Sequence, residues 1–309
     1  MASKKSKSKE VTVGRRKLSL TNLDKVLYPK AGFTKAEVID YYARVAETMI
    51  PHLRGRPTTL KRYPDGVEGF HFFEKRSPKH RPDWVKTATV LADRAGRIDF
   101  TLVDNTPTLI WLAQLASLEL HPSLAKASRI EAPSFLAFDL DPGPPADIVQ
   151  CCAIAVRLRD LFADLGMECF PKTSGSKGMQ VYVPLNGQVT YEKVTPFAHA
   201  VALLLEKNHP DQVVSKMTKK LRKGKVFVDW SQNTKSKTTI AVYSLRAKHR
   251  PTVSTPIEWD EVESTLKAKK AERLVFDSAD VLKRIDKHGD LFEPVLKKRQ
   301  RLPKPPSDD

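Results

Sequence analysis

Two carboxylates stand two residues apart in FLAFDLDPG, residues 135–143, among neighbours that are almost all apolar. On a strand, side chains at i and i+2 leave the same face. Asp139 and Asp141 therefore share one face, and Phe138 and Leu140 take the other toward a core. The Cα atoms of the two acids are then about 7 Å apart, and their charges repel unless a positive group lies between them. Hard divalent cations such as Mg²⁺ or Mn²⁺ meet that need, because carboxylate oxygens are their preferred ligands. The Pro-Gly that follows ends the strand and leaves both acids at an edge open to ligand. Two solvated aspartates at an exposed strand end would read the same way.

A third acid changes the weight of the first two. KVFVDWSQN places Asp229 on a second apolar strand, sharing a face with Phe227. It is the only acid between Asp211 and Glu258, and residues 215–237 around it hold eight bases. A lone acid in such a segment is commonly an ion-pair partner. Three carboxylates from two strands in a cationic surround are also what two-metal phosphoryl transfer requires. TSGSKG, residues 173–178, lies between two further strands. Its glycines let amides converge on phosphate oxygens, its hydroxyls donate, and Lys177 adds charge. It is not a P-loop, because the G-x-x-x-x-G-K-[ST] spacing is absent and no helix follows. An ordinary tight turn is the other reading. LELHPS places His121 at the end of a helix that starts with Thr106 as cap and Pro107 at its first position, where a capping role is the default.

The elements that must hold these residues alternate in type. Thr34-Lys-Ala-Glu37 is a capping box opening a helix whose Ile39, Tyr42, Val45 and Met49 keep helical spacing. RPTTLKRYPDGVEGFHFFEKR reads as a β-hairpin around Pro-Asp-Gly, and TATVLAD and RIDFTLVD read as two more strands. After the Thr106 helix come the FLAFDLD strand, a helix through residues 146–166, the strands ECFPKTS and MQVYVPL, and a helix over 191–207. KVFVDWS and TTIAVYSL follow as strands, and the chain beyond Pro251 is helical and polar. The order is that of an α+β fold. The expected organisation is a disordered basic arm over 1–17, one domain over 18–296 and a basic tail over 297–309. Within the domain, a β-rich module to about residue 130 precedes a catalytic module from about 131.

Charge narrows the partner. The 309 residues carry 53 Lys+Arg against 36 Asp+Glu, a net +17. Residues 1–20 and 296–309 account for about half of it, leaving +8 on the body between them. A basic field of that size favours a polyanion, nucleic acid first, over a merely solvated surface. Cys151, Cys152 and Cys169 lack the spacing of a zinc site or a disulfide framework and read as small buried hydrophobes in a reducing compartment. No apolar run reaches membrane-span length, and the first residues lack the apolar stretch of a secretory signal. A cytoplasmic, nucleoid-associated bacterial protein is expected.

LTNLDKVLYP, KRYPDG, FFEK, LELH, FDLDPG, TSGSKG, KVFVDWSQN and YSLR occur in this order. Together they resemble the polymerase domain of bacterial ligase D, in the archaeo-eukaryotic primase superfamily, over residues 18–296. The resemblance implies a primase-like catalytic core of mixed and antiparallel sheets flanked by helices. It implies that Asp139 and Asp141 bridge two divalent ions, Mn²⁺ or Mg²⁺, with Asp229 holding the catalytic one. His121, Ser174 and Lys177 match contacts to the triphosphate of an incoming NTP or dNTP, and Lys61, Gln232 and Arg246 match other nucleotide-pocket positions. Lys25 and Lys35 match lysines that recognise a downstream 5′-phosphate at a gap or break. Their place at the start of the Thr34 helix suits an anion, although unaided they read as a solvated face. Phe72 and Phe73 match template contacts, and adjacent residues on a strand point opposite ways, which leaves one exposed for base stacking. Arg222 matches a loop residue that engages DNA ends. Lys177 stands where many superfamily members carry histidine, which favours the ligase D branch.

The reading that follows is a template-dependent nucleotidyltransferase acting at DNA primer ends, gaps or breaks, preferring ribonucleotides and Mn²⁺ as the resemblance implies. No K-x-D-G ligase motif is present, so the chain is expected to be that domain alone, with a Ku-like end-binding protein and a separate DNA ligase as possible partners. The alternatives are a primase that starts strands de novo, a non-catalytic DNA end-bridging module, and a two-metal nuclease. The three carboxylates weigh against the bridging module, and the TSGSKG and YSLR segments against the nuclease.

Overall fold

The structure, a computed structural model, describes residues 8–92 and 96–303. It begins with an antiparallel hairpin of β1 (Ser8–Val13) and β2 (Arg16–Thr21), with Ser8 opposite Thr21 and Val13 opposite Arg16. The expectation of a disordered arm through residue 17 is thus corrected for 8–17. Leu18 and Leu20 give β2 a buried face, and β1 pairs along it. Residues 1–7 of that arm, and 304–309 of the tail, lie outside the described residues. Within the tail, Gln300 is docked by hydrogen bonds from its side chain to the Glu168 and Pro184 carbonyls.

A short pair, β3 (Val26–Tyr28) and β4 (Phe33–Thr34), leads into α1 (Lys35–Leu53). The Thr34 capping box forms on both sides, and Val38, Tyr42, Val45 and Met49 bury one stripe of the helix. The hairpin of β5 (Pro57–Arg62) and β6 (Phe72–Glu74) forms, as do β7 (Thr87–Ala92) and β8 (Gly96–Leu102). Next is α2 (Thr106–Gln114), whose cap is Asn105 rather than Thr106: the Asn105 carboxamide accepts from the Thr108 amide at 2.9 Å. The helix also ends earlier than expected. Ala116 turns the chain at φ 54°, and β9 (Ser117–Pro122) then pairs along β5. His121 is therefore on a strand and not at a helix end. The alternation of buried Leu118 and Leu120 with Glu119 and His121 is a strand pattern that the apolar run before it obscured.

The second half supplies the other sheet. β10 (Phe135–Pro142) precedes α3 (Ile148–Asp164), β11 (Phe170–Thr173), β12 (Met179–Pro184), α4 (Tyr191–Asn208), β13 (Val213–Val214) and β14 (Val226–Asp229). The strand order is β11-β12-β10-β14-β13, antiparallel except for the last pair. TTIAVYSL is not a regular strand. It runs beside β9 with the Thr239 and Ala241 amides donating to Pro122 and Leu120 carbonyls, and Tyr243 at φ 65° breaks any ladder. Three helices, α5 (Trp259–Ala268), α6 (Ser278–His288) and α7 (Glu293–Lys297), follow. The result is an α+β architecture of mixed and antiparallel sheets flanked by helices.

Two hydrophobic clusters explain where a cleft can open. Leu136, Phe138 and Leu140 of β10, with Val181 and Val228 from its neighbours, pack one sheet face under α3 and α4. On the other face, Phe135, Ala137 and Tyr182 join the cluster built by α1, α2 and β9. That cluster also takes Ala241, Val242, Tyr243 and Leu245, then Val281, Phe292 and Val295, so the last third of the chain returns to the first core. At the far end of that sheet face, Asp139 and Asp141 open onto a cleft instead.

Candidate active site

The three carboxylates meet at that end. In the register of β10 with β14, Asp139 is directly opposite Asp229, and Asp141 is opposite Phe227. Directly opposed residues of antiparallel strands have Cα atoms about 4.5–5.5 Å apart, so the two acids crowd one another. Burial, then the Asp229 charge and to a lesser extent Asp141, raise the Asp139 pKa to about 6, against relief from the Gln180 amide and the Lys172 charge. Asp229 is largely buried and already bonded: Oδ1 accepts from the Ser231 amide at 2.9 Å and Oδ2 from Gln232 at 2.8 Å. Asp141 is exposed, and its Oδ2 accepts from Arg222 Nη1 at 3.2 Å. Arg222 also lies 3.8 Å over the Phe227 ring, so its guanidinium is clamped between the acid and the aromatic face.

Among the described residues no three His, Cys, Asp or Glu side chains are gathered into a ready metal cage, and Asp141 and Asp229 each accept from a protein donor. The donor set itself suits a hard cation. It consists of carboxylate oxygens, it repels itself, and one member is pushed toward protonation by burial beside another acid.

A cleft of about 430 Å³ opens beside the acids, lined by Asp139, Asp141, His121, Ser174, Lys177, Gln232 and Arg246, with Phe73 at its edge. The TSGSKG turn forms one wall. The Ser174 hydroxyl accepts from the Ser176 amide at 3.2 Å and the Gly178 amide at 3.3 Å, and this folds the turn back on itself. Gly178 is there for space: a Cβ at that position would sit 1.9 Å from the Leu140 carbonyl oxygen, between the two acids of β10. Arg246 Nη1 donates to the Ser174 carbonyl at 2.5 Å and ties YSLR to the turn.

Several functional candidates escaped the sequence reading. Glu119 accepts from His121 Nε2 at 3.0 Å and faces Arg246 Nε at 3.3 Å. Burial would raise its pKa, but His121, Arg246 and the Ala247 amide outweigh that and hold it well below the usual carboxylate range. Burial lowers the His121 pKa despite Glu119. Glu119 is thus held between Arg246 and His121. Lys248 lines the same cleft; burial, then Arg246, depress its pKa, with Lys177 and Lys61 adding to the effect against Glu119. Lys172, fully buried, donates to Ser254 Oγ at 2.6 Å and the Ile240 carbonyl at 3.2 Å. It is opposite Gln180, which is opposite Asp139, so a lysine whose pKa burial drives well down and an acid lie on one row across three strands. The i, i+2 pair Glu119/His121 and the lysine in FPKT were the available signals; reading LELH as helix hid the first.

Residues 34–292 match the model of the ligase D primase-polymerase domain. The polymerase domain of Mycobacterium tuberculosis ligase D, solved in complex with DNA, superposes with a TM-score of 0.84 at 43% identity, covering 92% of this chain and 99% of that one. The chain belongs to the ligase D primase-polymerase family. The multifunctional non-homologous end joining protein LigD of Mycobacterium bovis is 46% identical over 286 residues, and that of Mycolicibacterium smegmatis 44% over 281. Each alignment covers 90% of this chain, which spans 37% and 36% of those relatives.

Of the residues that the ligase D resemblance assigns to DNA, Phe73 borders the cleft and Arg222 is bonded to Asp141, whereas Lys25, Lys35 and Phe72 do not line it. Phe73 is 60% exposed and meets His121 edge-on at 5.8 Å, whereas Phe72 is half-buried on the other side of β6. Lys61, expected in the nucleotide pocket, does not line the cleft; on β5 opposite both Phe73 and Glu119, it holds its amine 5.2 Å from the Tyr63 and Phe73 rings. Lys25 and Lys35 are brought together, but not by a free helix terminus. The Lys35 and Ala36 amides already donate to the Lys25 and Leu23 carbonyls, and Glu37 completes the capping box. The expectation of an anion-binding helix end is therefore corrected: any anion there must be met by side chains. Burial first, with Lys25 and Arg62 adding to it, lowers the Lys35 pKa to about 8.

Proposed function

We propose that the chain is a template-dependent nucleotidyltransferase that adds ribo- or deoxyribonucleotides to DNA primer ends at gaps and breaks. Family membership supports the reaction class. The observation that carries the assignment to particular residues is the direct opposition of Asp139 and Asp229, with Asp141 two residues on, at the edge of a cation-lined cleft.

Asp139 and Asp141 would hold two divalent cations, with Asp229 on the catalytic one, and these would supply Lewis-acid charge at the attacking and leaving oxygens. The chain's own groups do the rest. Lys177, Arg246 and Lys248 bring positive charge to a triphosphate, and the Ser174 turn positions Lys177 toward it. Arg246 is held by Glu119 and by the Ser174 carbonyl, so its guanidinium is preorganised. Gln232 is fixed by Asp229 and extends the acid row toward the nucleotide. Asp141 must exchange Arg222 for a cation, which couples the basic 3₁₀ turn Lys219–Arg222 to the state of the site.

The partner is DNA bearing a 5′-phosphate, met by Lys25 and Lys35, with template bases at Phe72 and Phe73. Mn²⁺ and NTP are the preferred cation and substrate on the family resemblance. The relatives are end-joining proteins of which this chain spans little more than a third, so a Ku-like protein and a DNA ligase are its proposed partners, in the bacterial cytoplasm. Among the described residues, no helix is long and apolar enough to cross a membrane.

The deciding experiment is extension of a gapped duplex with and without the 5′-phosphate, offering NTP and dNTP in Mn²⁺ and in Mg²⁺. Wild-type protein extends the primer. Asp139→Ala and Asp229→Ala are expected to lose at least a hundredfold in rate while DNA affinity changes little. Extension at the wild-type rate by either variant refutes the assignment.

A further inference from the structure

Residues 70–73 are four consecutive aromatic rings, Phe-His-Phe-Phe, and they divide into two ledges. His71 stacks on Tyr63 at 5.0 Å and 20°, and Phe73 stands beside them over Lys61, facing the cleft. On the outer side Phe70 stacks against Phe72 with centroids 5.7 Å apart and planes 27° from parallel. Phe70 is the most exposed large hydrophobic side chain among the described residues, at 67%.

A lone exposed phenylalanine needs no explanation. Three features remove Phe70 from that class. Its turn is anchored: the Val67 amide donates to Leu27 of β3 at 2.8 Å, the Gly66 amide to Tyr63 at 3.0 Å, and Asp65 pairs with Lys25 at 3.0 Å. The ring is thus presented on a fixed support. The stack also continues from Phe72 on the strand that borders the nucleotide cleft. Finally, the border is cationic. Arg62 lies 5.3 Å over Phe72, Lys75 and Arg76 follow on the chain, and Lys25 and Lys35 lie at the far end of the turn. Of the nearby acids, Glu74 is paired with Arg62 and Asp65 with Lys25, leaving Glu68. An aromatic face with basic residues beside it matches a partner that offers flat π-faces on a polyanionic chain, which is single-stranded nucleic acid.

We propose that Phe70 is a stacking platform for the unpaired template base next to the one that enters the cleft, the strand then running toward Lys25 and Lys35. This rests on the polymerase reading, in which β6 meets the template. It adds a binding position outside the nucleotide pocket and predicts that the protein holds more unpaired template than the single coding base.

The test is fluorescence of 2-aminopurine placed at the first unpaired template position beyond the coding base, in a primer-template with an overhang, titrated with protein in the absence of nucleotide and divalent cation. Wild-type protein is expected to quench the probe. Phe70→Ala should lose the quench and bind the overhang roughly five- to a hundredfold more weakly. Phe70→Trp and Phe70→Tyr should retain both, and affinity for blunt duplex should not change. A Phe70→Ala protein that quenches and binds like wild type, while wild type still extends primers, overturns this proposal alone. Loss of a concentration-dependent dimer in Phe70→Ala with DNA binding intact also overturns it, in favour of self-association. Wild-type protein that neither binds nor extends the primer-template overturns the polymerase reading along with it.

Discussion

At the scale of single residues, Asp139 is the group whose environment most needs a cation. Its pKa near 6 lies above the ordinary 3.8, so the folded protein binds a proton more tightly there than the unfolded chain does. Metal-free stability from this group is therefore highest at low pH, and a penalty builds as pH rises from about 4 through about 6. Above that window it amounts to about 3 kcal/mol. Asp139→Asn removes the charge and keeps the shape. The metal-free variant should melt at a higher temperature than wild type at pH 7, with the difference vanishing near pH 4. Mn²⁺ should raise the wild-type melting temperature and leave that of the variant almost unchanged. A thermal denaturation series over pH, with and without Mn²⁺, checks all three expectations; a variant less stable than wild type at pH 7 would mean that the carboxylate is stabilised by contacts with Gln180 and Lys172 that outweigh its crowding.

At the scale of elements, what the sequence revealed followed periodicity. β10, β12 and β14 were legible because alternating apolar residues leave little choice of face, and the acids then fell together on the other side. The Thr34 cap was legible because its chemistry is local. The readings that failed depended on contacts distant in sequence. Residues 117–122 became a strand by pairing with β5, and 8–13 became one by pairing with β2. Residues 238–245 lost a regular ladder where the left-handed Tyr243 turns the chain, so that its carbonyl meets the Tyr41 hydroxyl in the first core. Lys172 could not be placed, since a lysine in a strand declares neither its burial nor its partners. Gly178 joins the two levels, because it lets the TSGSKG turn approach the carbonyl of Leu140. Gly178→Ala should push turn and strand apart, costing about 1–3 kcal/mol of stability and, by displacing Lys177 from the acids, on the order of a hundredfold in transfer rate. Urea denaturation and single-turnover extension measure the two effects; normal transfer would show that the wall can move without consequence.

At the scale of the whole molecule, two cores meet along one sheet, and the cleft opens at the far end of that sheet. The first core receives segments from both ends of the chain, and they are tied by a buried bridge: His52 of α1 contacts Asp290 at 2.8 Å, and the Tyr243 hydroxyl donates to the same carboxylate at 2.6 Å. This frame would hold the proposed phosphate site at Lys25 and Lys35 and the proposed nucleotide site beside β10 at a set separation. The charge of +17 then acts as a general attraction, whereas Lys25 and Lys35 act locally, and the two contributions can be separated. Each phosphate contact releases counterions, so the slope of log affinity against log salt should be about −0.9 per contact on duplex. Replacing Lys25 and Lys35 with alanine should flatten that slope by about two contacts and should erase the preference for a 5′-phosphate over a 5′-hydroxyl. Since Lys35 titrates near pH 8, its positive charge is lost as pH rises past that value, and the preference for 5′-phosphate should fall between pH 7 and 9. Lys35→Arg keeps the charge throughout and should remove the pH dependence. Equilibrium binding of gapped duplexes, with and without the phosphate, across salt and pH gives these numbers, and a 5′-phosphate preference unaffected by the double substitution would move the phosphate site elsewhere on the basic surface.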